Sequence, residues 1–209
     1  MRPRPARVAL GAALLSLAGP AVGGEWVVDT EGSRVVVHVF RAGLLRAFAH
    51  DHHLVPERWR GRATLDPERI EAVEGEVVVD AASLRDGQRS LSAEDRAEVE
   101  RQVAEEVLDA ARFPEVRFHL TGFEPSREPS RAGSSRGILR GRLTLRGVER
   151  PLTVPGEVDR GADRIAVRGR TEISRKDFGV EVPSVALGAV TVEDRVEIEF
   201  SLLLVPAGD

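Results

Sequence analysis

Four of the five histidines fall between residues 38 and 53, and three of them crowd into Ala49-His50-Asp51-His52-His53-Leu54. On an extended strand His50 and His52 share a face, a spacing that suits a two-imidazole metal site completed by Asp51, His53 or the distant His119. The same rings could instead contact the polar head of a bound molecule, with neutral imidazoles donating to a carbonyl or phosphate. A third reading is a plain polar cluster, hydrogen-bonded to neighbouring arginines and carboxylates. No third ligand stands at a set distance, so no metal is assigned.

Other chemistry is scarce. The chain has no cysteine, tyrosine or asparagine, which excludes disulfide scaffolds, thiolate sites, a tyrosine acid or base and N-glycosylation. Gly133-Ser134-Ser135-Arg136-Gly137 matches G-x-S-x-G, but a nucleophile elbow needs a strand before it and a helix after it. Ser135 is read instead in a Ser/Pro/Arg-rich loop, Pro125 to Arg136, that leads into a strand, and no histidine follows it. In Asp177-Phe178-Gly179 the kinase meaning fails for want of a Gly-rich loop and a catalytic loop. There Asp177 is expected to accept hydrogen bonds in a tight turn, Phe178 to plug an apolar end and Gly179 to supply a permissive backbone. The chain is therefore read as a non-enzyme without a cofactor.

The first residues read as a secretory leader: basic to Arg7, apolar from Val8 to Ala18, then small residues at Ala21 and Gly23. About 11 apolar residues fall short of the ~20 that a membrane-spanning helix needs. A leader over 1–23 is expected, with the mature domain over 24–209, a bacterial periplasmic destination and no stable membrane insertion. Losing Arg2, Arg4 and Arg7 takes the formal charge from −4 to −7, a sign that argues against nucleic acid as a partner.

The elements that must position these residues are strands. Period-two alternation separated by Gly, Pro and Asp turns runs through the chain. Val35, Val37 and Val39 share a face, as do Leu139, Gly141, Leu143 and Leu145, and a last long strand aligns Val196, Ile198, Phe200, Leu202 and Leu204. Arg146-Gly147 marks a hairpin turn. One segment has another period: Ser92 to Leu108 opens with a near capping box and repeats Val99, Val103 and Val107, which predicts one amphipathic helix over about 92–108. About eight strands with one helix make an all-β antiparallel domain, and closure into a barrel would remove its edges. A barrel of that size has room for one ligand, and the uncharged Val/Leu/Ile/Phe face calls for an apolar one. An ordinary packed sandwich core would show the same alternation.

Five ordered blocks carry a resemblance. Gly24-Glu25-Trp26-Val27-Val28-Asp29 with Ser33-Arg34-Val35-Val36-Val37, then Val79-Asp80-Ala81-Ala82-Ser83-Leu84, Ala111-Arg112-Phe113-Pro114-Glu115-Val116-Arg117-Phe118, Gly141-Arg142-Leu143-Thr144-Leu145-Arg146-Gly147-Val148 and Ser174-Arg175-Lys176-Asp177-Phe178-Gly179-Val180 resemble the YceI-like family. The histidine-dense segment departs from that family's pattern. The resemblance implies an eight-stranded lipocalin-like barrel, secreted to the periplasm, that binds an isoprenoid lipid or quinone tail. The expected ligand contacts are Val37, Val39, Phe118, Leu143, Leu145, Phe178, Ile198 and Phe200. His50, His52 and His53 are the candidates for the headgroup, and a metal-binding role of that histidine cluster is the alternative. The alternation leaves oligomeric state open.

Overall fold

A computed structural model describes residues 23–42, 51–88, 90–128, 131–161, 163–182 and 191–208. The strands are β1 (Gly24–Val28), β2 (Arg34–Ala42), β3 (His52–Pro56), β4 (Trp59–Asp66), β5 (Arg69–Asp80), β6 (Leu84–Asp86), β7 (Glu115–Pro125), β8 (Ser134–Leu145), β9 (Val148–Arg160), β10 (Ile165–Ser174) and β11 (Thr191–Pro206). Their order, β1-β4-β5-β7-β8-β9-β10-β11, closes because β1 pairs with both β4 and β11. The result is the expected closed, eight-stranded antiparallel barrel, which has no open edge around that ring.

The sequence alternation undercounts the strands because three barrel staves are broken in two. β11 pairs first with β2 and then, from Leu204, with β1. Between them Asp29 bends the chain, its Oδ1 accepting from Glu31 N at 3.1 Å and Gly32 N at 3.2 Å. In the same way β3 precedes β4, and β6 follows β5 through a 3-10 turn at Ala81–Ser83. At that corner the fully buried Ser83 accepts from Arg58 N and donates to the Asp80 carbonyl. β2, β3 and β6 thus rise as a flap at one end of the ring.

Ser92 caps helix α1 (Ala93–Gln102): its Oγ accepts from Asp95 N at 3.0 Å and donates to Asp95 Oδ2 at 2.7 Å. The helix does not run regularly to 108. Val103–Val107 form a π-helical turn, with Leu108 N reaching Val103 O at 2.9 Å. The wider turn brings Leu108 against Leu54, Ala81 and Leu84, so tertiary packing overrides the regular period. The expected loop over Pro125 to Arg136 is also shorter than its composition suggested. β7 reaches Pro125 and β8 starts at Ser134, which places Ser135 in a strand opposite Val158.

Three apolar clusters pack along the barrel wall. Trp26, Leu65, Ile70, Phe123 and Ile165 belong to the cluster at the end away from the helix. Leu54, Leu84 and Leu108 pack at the helix end, beside a cluster of Leu143, Phe178 and Val180. The β8–β9 hairpin turns through Arg146 and Gly147 at φ 50° and 73°, as a two-residue turn matching the strand twist requires.

Arginine–carboxylate pairs cross the outer face. Arg131, and after it Arg168, hold the Asp159 carboxyl below its usual range, each at 2.7 Å. Arg60, with Arg117 also bonded, does the same to Glu115. A carboxylate whose folded-state pKa is depressed contributes stability above its unfolded value, and that contribution is lost as pH falls through the folded one. Melting temperature should therefore stay level from pH 8 to about 5 and fall through and below the ordinary carboxylate range near ~4. Calorimetry across that range would refute this if the barrel melted higher at pH 3 than at pH 7.

Candidate functional site

A cavity of about 450 Å³ occupies the barrel. Packed interiors hold few voids larger than one water, whereas ligand sites typically enclose ~300–1,000 Å³. That volume separates a binding lumen from the packed sandwich core that the alternation alone allowed.

The wall is aliphatic and aromatic. β2 contributes Val37 and Val39, β7 Phe118, and β8 Leu143 and Leu145. Ile198 and Phe200 line it from β11. Phe178 does not reach the lumen: it is buried behind the wall against Leu143 and Val180, so it supports the lining rather than forming it. The helix adds Val99, Val103 and Val107, which its valine period made legible as an apolar face but not as lumen wall.

Glycines lie under three side chains of this wall, Phe123, Leu139 and Phe200. Gly137, Gly156 and Gly169 stand opposite one another across β8, β9 and β10, and Gly169 faces Phe200 on β11. A Cβ on Gly169 would lie 2.6 Å from Phe200 Cζ, so the ring can lie over bare backbone only there.

The Arg175–Phe178 turn carries its roles differently from the sequence expectation. Gly179 takes φ 65° and closes the turn as foreseen. The accepting side chains, however, are Ser174, bonded to Asp177 N, and Asp194, which takes the Ser174 hydroxyl at 2.8 Å and Lys176 N at 3.1 Å. Asp177 enters through its backbone, its carbonyl accepting from Arg150 Nε at 3.1 Å. Arg175 lines the lumen and donates to the carbonyls of Val180, Glu193 and Val192, fastening the turn to β11.

The histidines diverge. His50 lies outside the described residues. His52 lines the lumen, and its Nδ1 is 2.5 Å from Oδ2 of Asp86, whose side chain is wholly withdrawn from solvent. His53 points to the outer face, its ring edge-on to His38 with centroids 4.9 Å apart. Asp51 turns to Arg41 N, accepting at 3.0 Å, and His119 lies exposed opposite Glu76 and Arg142. Successive residues on a strand face opposite sides, so His52 and His53 cannot share a ligand.

Another group does converge: the ligand atoms of His38, Glu197 and Glu199 all lie within 4.8 Å of one another. Arg170 already supplies their countercharge, at 2.6 Å from Glu199 and 3.5 Å from Glu197. That guanidinium, more than His38, holds the Glu199 carboxyl below its usual range. The group is thus a surface ion cluster in which arginine occupies the place a cation would take.

Sequence reasoning missed Asp86 because a three-residue strand shows no periodicity, and an isolated acid carries no motif.

A family model described as the YceI-like domain matches residues 26–204. Comparison with curated proteins finds no match. Among solved structures, a polyisoprenoid-binding domain from Saccharophagus degradans is similar, with a TM-score of 0.64 at 14% identity over 87% of this chain and 98% of that one. BcnA from Burkholderia cenocepacia gives 0.63 at 21% identity, over 84% and 98%. A YceI protein from Campylobacter jejuni gives 0.50 at 16% identity, over 73% and 83%. At these identities the likeness is one of fold.

Proposed function

This chain belongs to the YceI-like domain family, and from that premise we propose that it binds and carries a single-chain apolar lipid, of isoprenoid or quinone type, in the barrel lumen. The observation that carries this reading is the 450 Å³ cavity with its almost wholly aliphatic wall. The Saccharophagus domain, described as polyisoprenoid-binding, lends support from a similar fold. The carrier works in a bacterial periplasm, delivered there by a leader over residues 1–23 that is removed near Gly24, and it acts by binding rather than catalysis.

The energetics suit such a guest. Burial contributes about 0.8 kcal/mol per methylene, so ten carbons supply about 8 kcal/mol against association costs that start near ~4 kcal/mol. Affinity then grows with chain length, and a polar head has only to set orientation and preference.

Native mass spectrometry on protein exported and purified from its bacterial host tests this directly. The expected spectrum shows a chain starting near Gly24 with a hydrophobic mass attached, released by organic solvent. Protein that arrives without lipid and fails to take up a C20 prenyl chain on titration would overturn the carrier reading. Retention of Arg2 would overturn the leader.

A further inference from the structure

His52 is the imidazole among the described residues that lines the lumen, and its two nitrogens are in different situations. Nδ1 is held by Asp86 at 2.5 Å, while among the described residues no hydrogen bond engages Nε2. The His52 side chain is 24% exposed, which places it where the lumen meets solvent, whereas the Asp86 side chain is 0% exposed. Three neighbours fix the Asp86 carboxylate and its strand: Oδ1 accepts from Gln88 N at 2.9 Å, Oδ2 faces His52, and Asp86 N donates to Glu100 of α1 at 3.0 Å.

An ionised carboxylate is an acceptor only, so the nitrogen facing Asp86 carries the hydrogen. In the neutral ring that leaves a lone pair on Nε2, directed away from the carboxylate. The polarity is the reverse of a ring donating to a carbonyl or phosphate. We propose that His52, oriented by Asp86, accepts a hydrogen bond from the bound lipid's head, so that this barrel selects lipids ending in a hydroxyl, such as a prenyl alcohol or quinol, over ethers, esters and quinones of equal tail. The proposal rests on the carrier reading and deepens it: tail burial sets affinity, and Nε2 sets head preference.

Asp86→Asn gives a test that a merely structural role would not satisfy. Because Gln88 N–H holds the oxygen side of the residue, the new amide nitrogen faces His52 Nδ1 and donates to it. The ring then carries its hydrogen on Nε2, and the head preference inverts.

The experiment titrates full-length mature protein at pH 8 with geranylgeraniol and with its methyl ether, which have the same tail. The wild type should bind the alcohol about tenfold more tightly, the worth of one net hydrogen bond. Asp86→Asn should lose or reverse that preference. Nitrogen-15 spectra of unliganded wild type, which do not depend on any variant folding, should show His52 protonated at Nδ1 and bare at Nε2. Equal affinity for the two ligands, a preference untouched by Asp86→Asn, or a ring protonated at Nε2 in the wild type would each overturn the proposal while leaving the carrier reading intact. Failure of both ligands to bind would instead overturn the carrier reading, and this inference with it.

Discussion

Ile198→Trp should weaken uptake of a C20 prenyl chain about 200-fold while leaving the barrel folded. Ile198 lines the lumen between Val37 of β2 and Thr171 of β10; it touches the Leu143–Phe178–Val180 cluster but is only half-buried, so part of its side chain faces free space. An indole there occupies lumen that the tail would otherwise fill. Displacing about four methylenes costs the guest about 3 kcal/mol, a loss near 200-fold in affinity. The protein itself should lose little, because filling a void avoids the strain of overpacking, which costs about 1–3 kcal/mol. Leu143→Trp is the informative contrast. Leu143 is 5% exposed and packs against Phe178 and Val180, so the same substitution meets a dense wall and should lower the melting temperature. Val27→Trp, on an exposed outward position, should change neither property. Circular dichroism reports folding, and titration with the prenyl chain reports uptake. Unchanged uptake by folded Ile198→Trp would mean that the lipid sits elsewhere.

The contrast between Ile198 and Leu143 also marks what the amino-acid order can and cannot reveal. Both lie on clean period-two strands, and alternation is enough to turn both inward. Alternation with its turn residues also identifies about eight staves and the Arg146-Gly147 hairpin, and the separate four-residue period identifies the valine face of α1 and of the π-helical turn after it. Whether an inward side chain meets void or neighbour depends on what stands across the barrel, and that is set by closure and register between distant strands. The three broken staves were hidden for a related reason: β3 and β6 are too short to show a period, and their meaning comes from pairing with each other. Asp86 and His52 are 34 residues apart and meet only through that pairing. Clustering of His50, His52 and His53 was the visible signal in the sequence, yet the pleat sends His53 outward. The chemically placed ring is the one whose partner no local pattern announces.

The glycine row is the feature whose loss should cost most stability. Gly137, Gly156 and Gly169 look unremarkable one by one, since glycine in a strand usually only weakens it. Aligned across β8, β9 and β10, each lies under a different side chain: Phe123 over Gly137, Leu139 over Gly156 and the Phe200 ring over Gly169. Gly169→Ala would set a methyl 2.6 Å from Phe200 Cζ and 3.1 Å from the Pro155 carbonyl, so the ring must tilt into the lumen or the strands must part. The expected cost is about 2–3 kcal/mol by overpacking, or roughly 4–12 °C in melting temperature for a domain of this size. Prenyl uptake should weaken too, because the displaced ring takes lumen volume. Phe200→Leu shortens the side chain that collides, so adding it to Gly169→Ala should restore part of the loss. A double-mutant cycle should then show a coupling of about 1–2 kcal/mol between two residues that face each other directly across β10 and β11. If the two substitutions were additive to within ~0.5 kcal/mol, the ring would not be what requires glycine at 169, and the backbone contact to Pro155 would have to account for it.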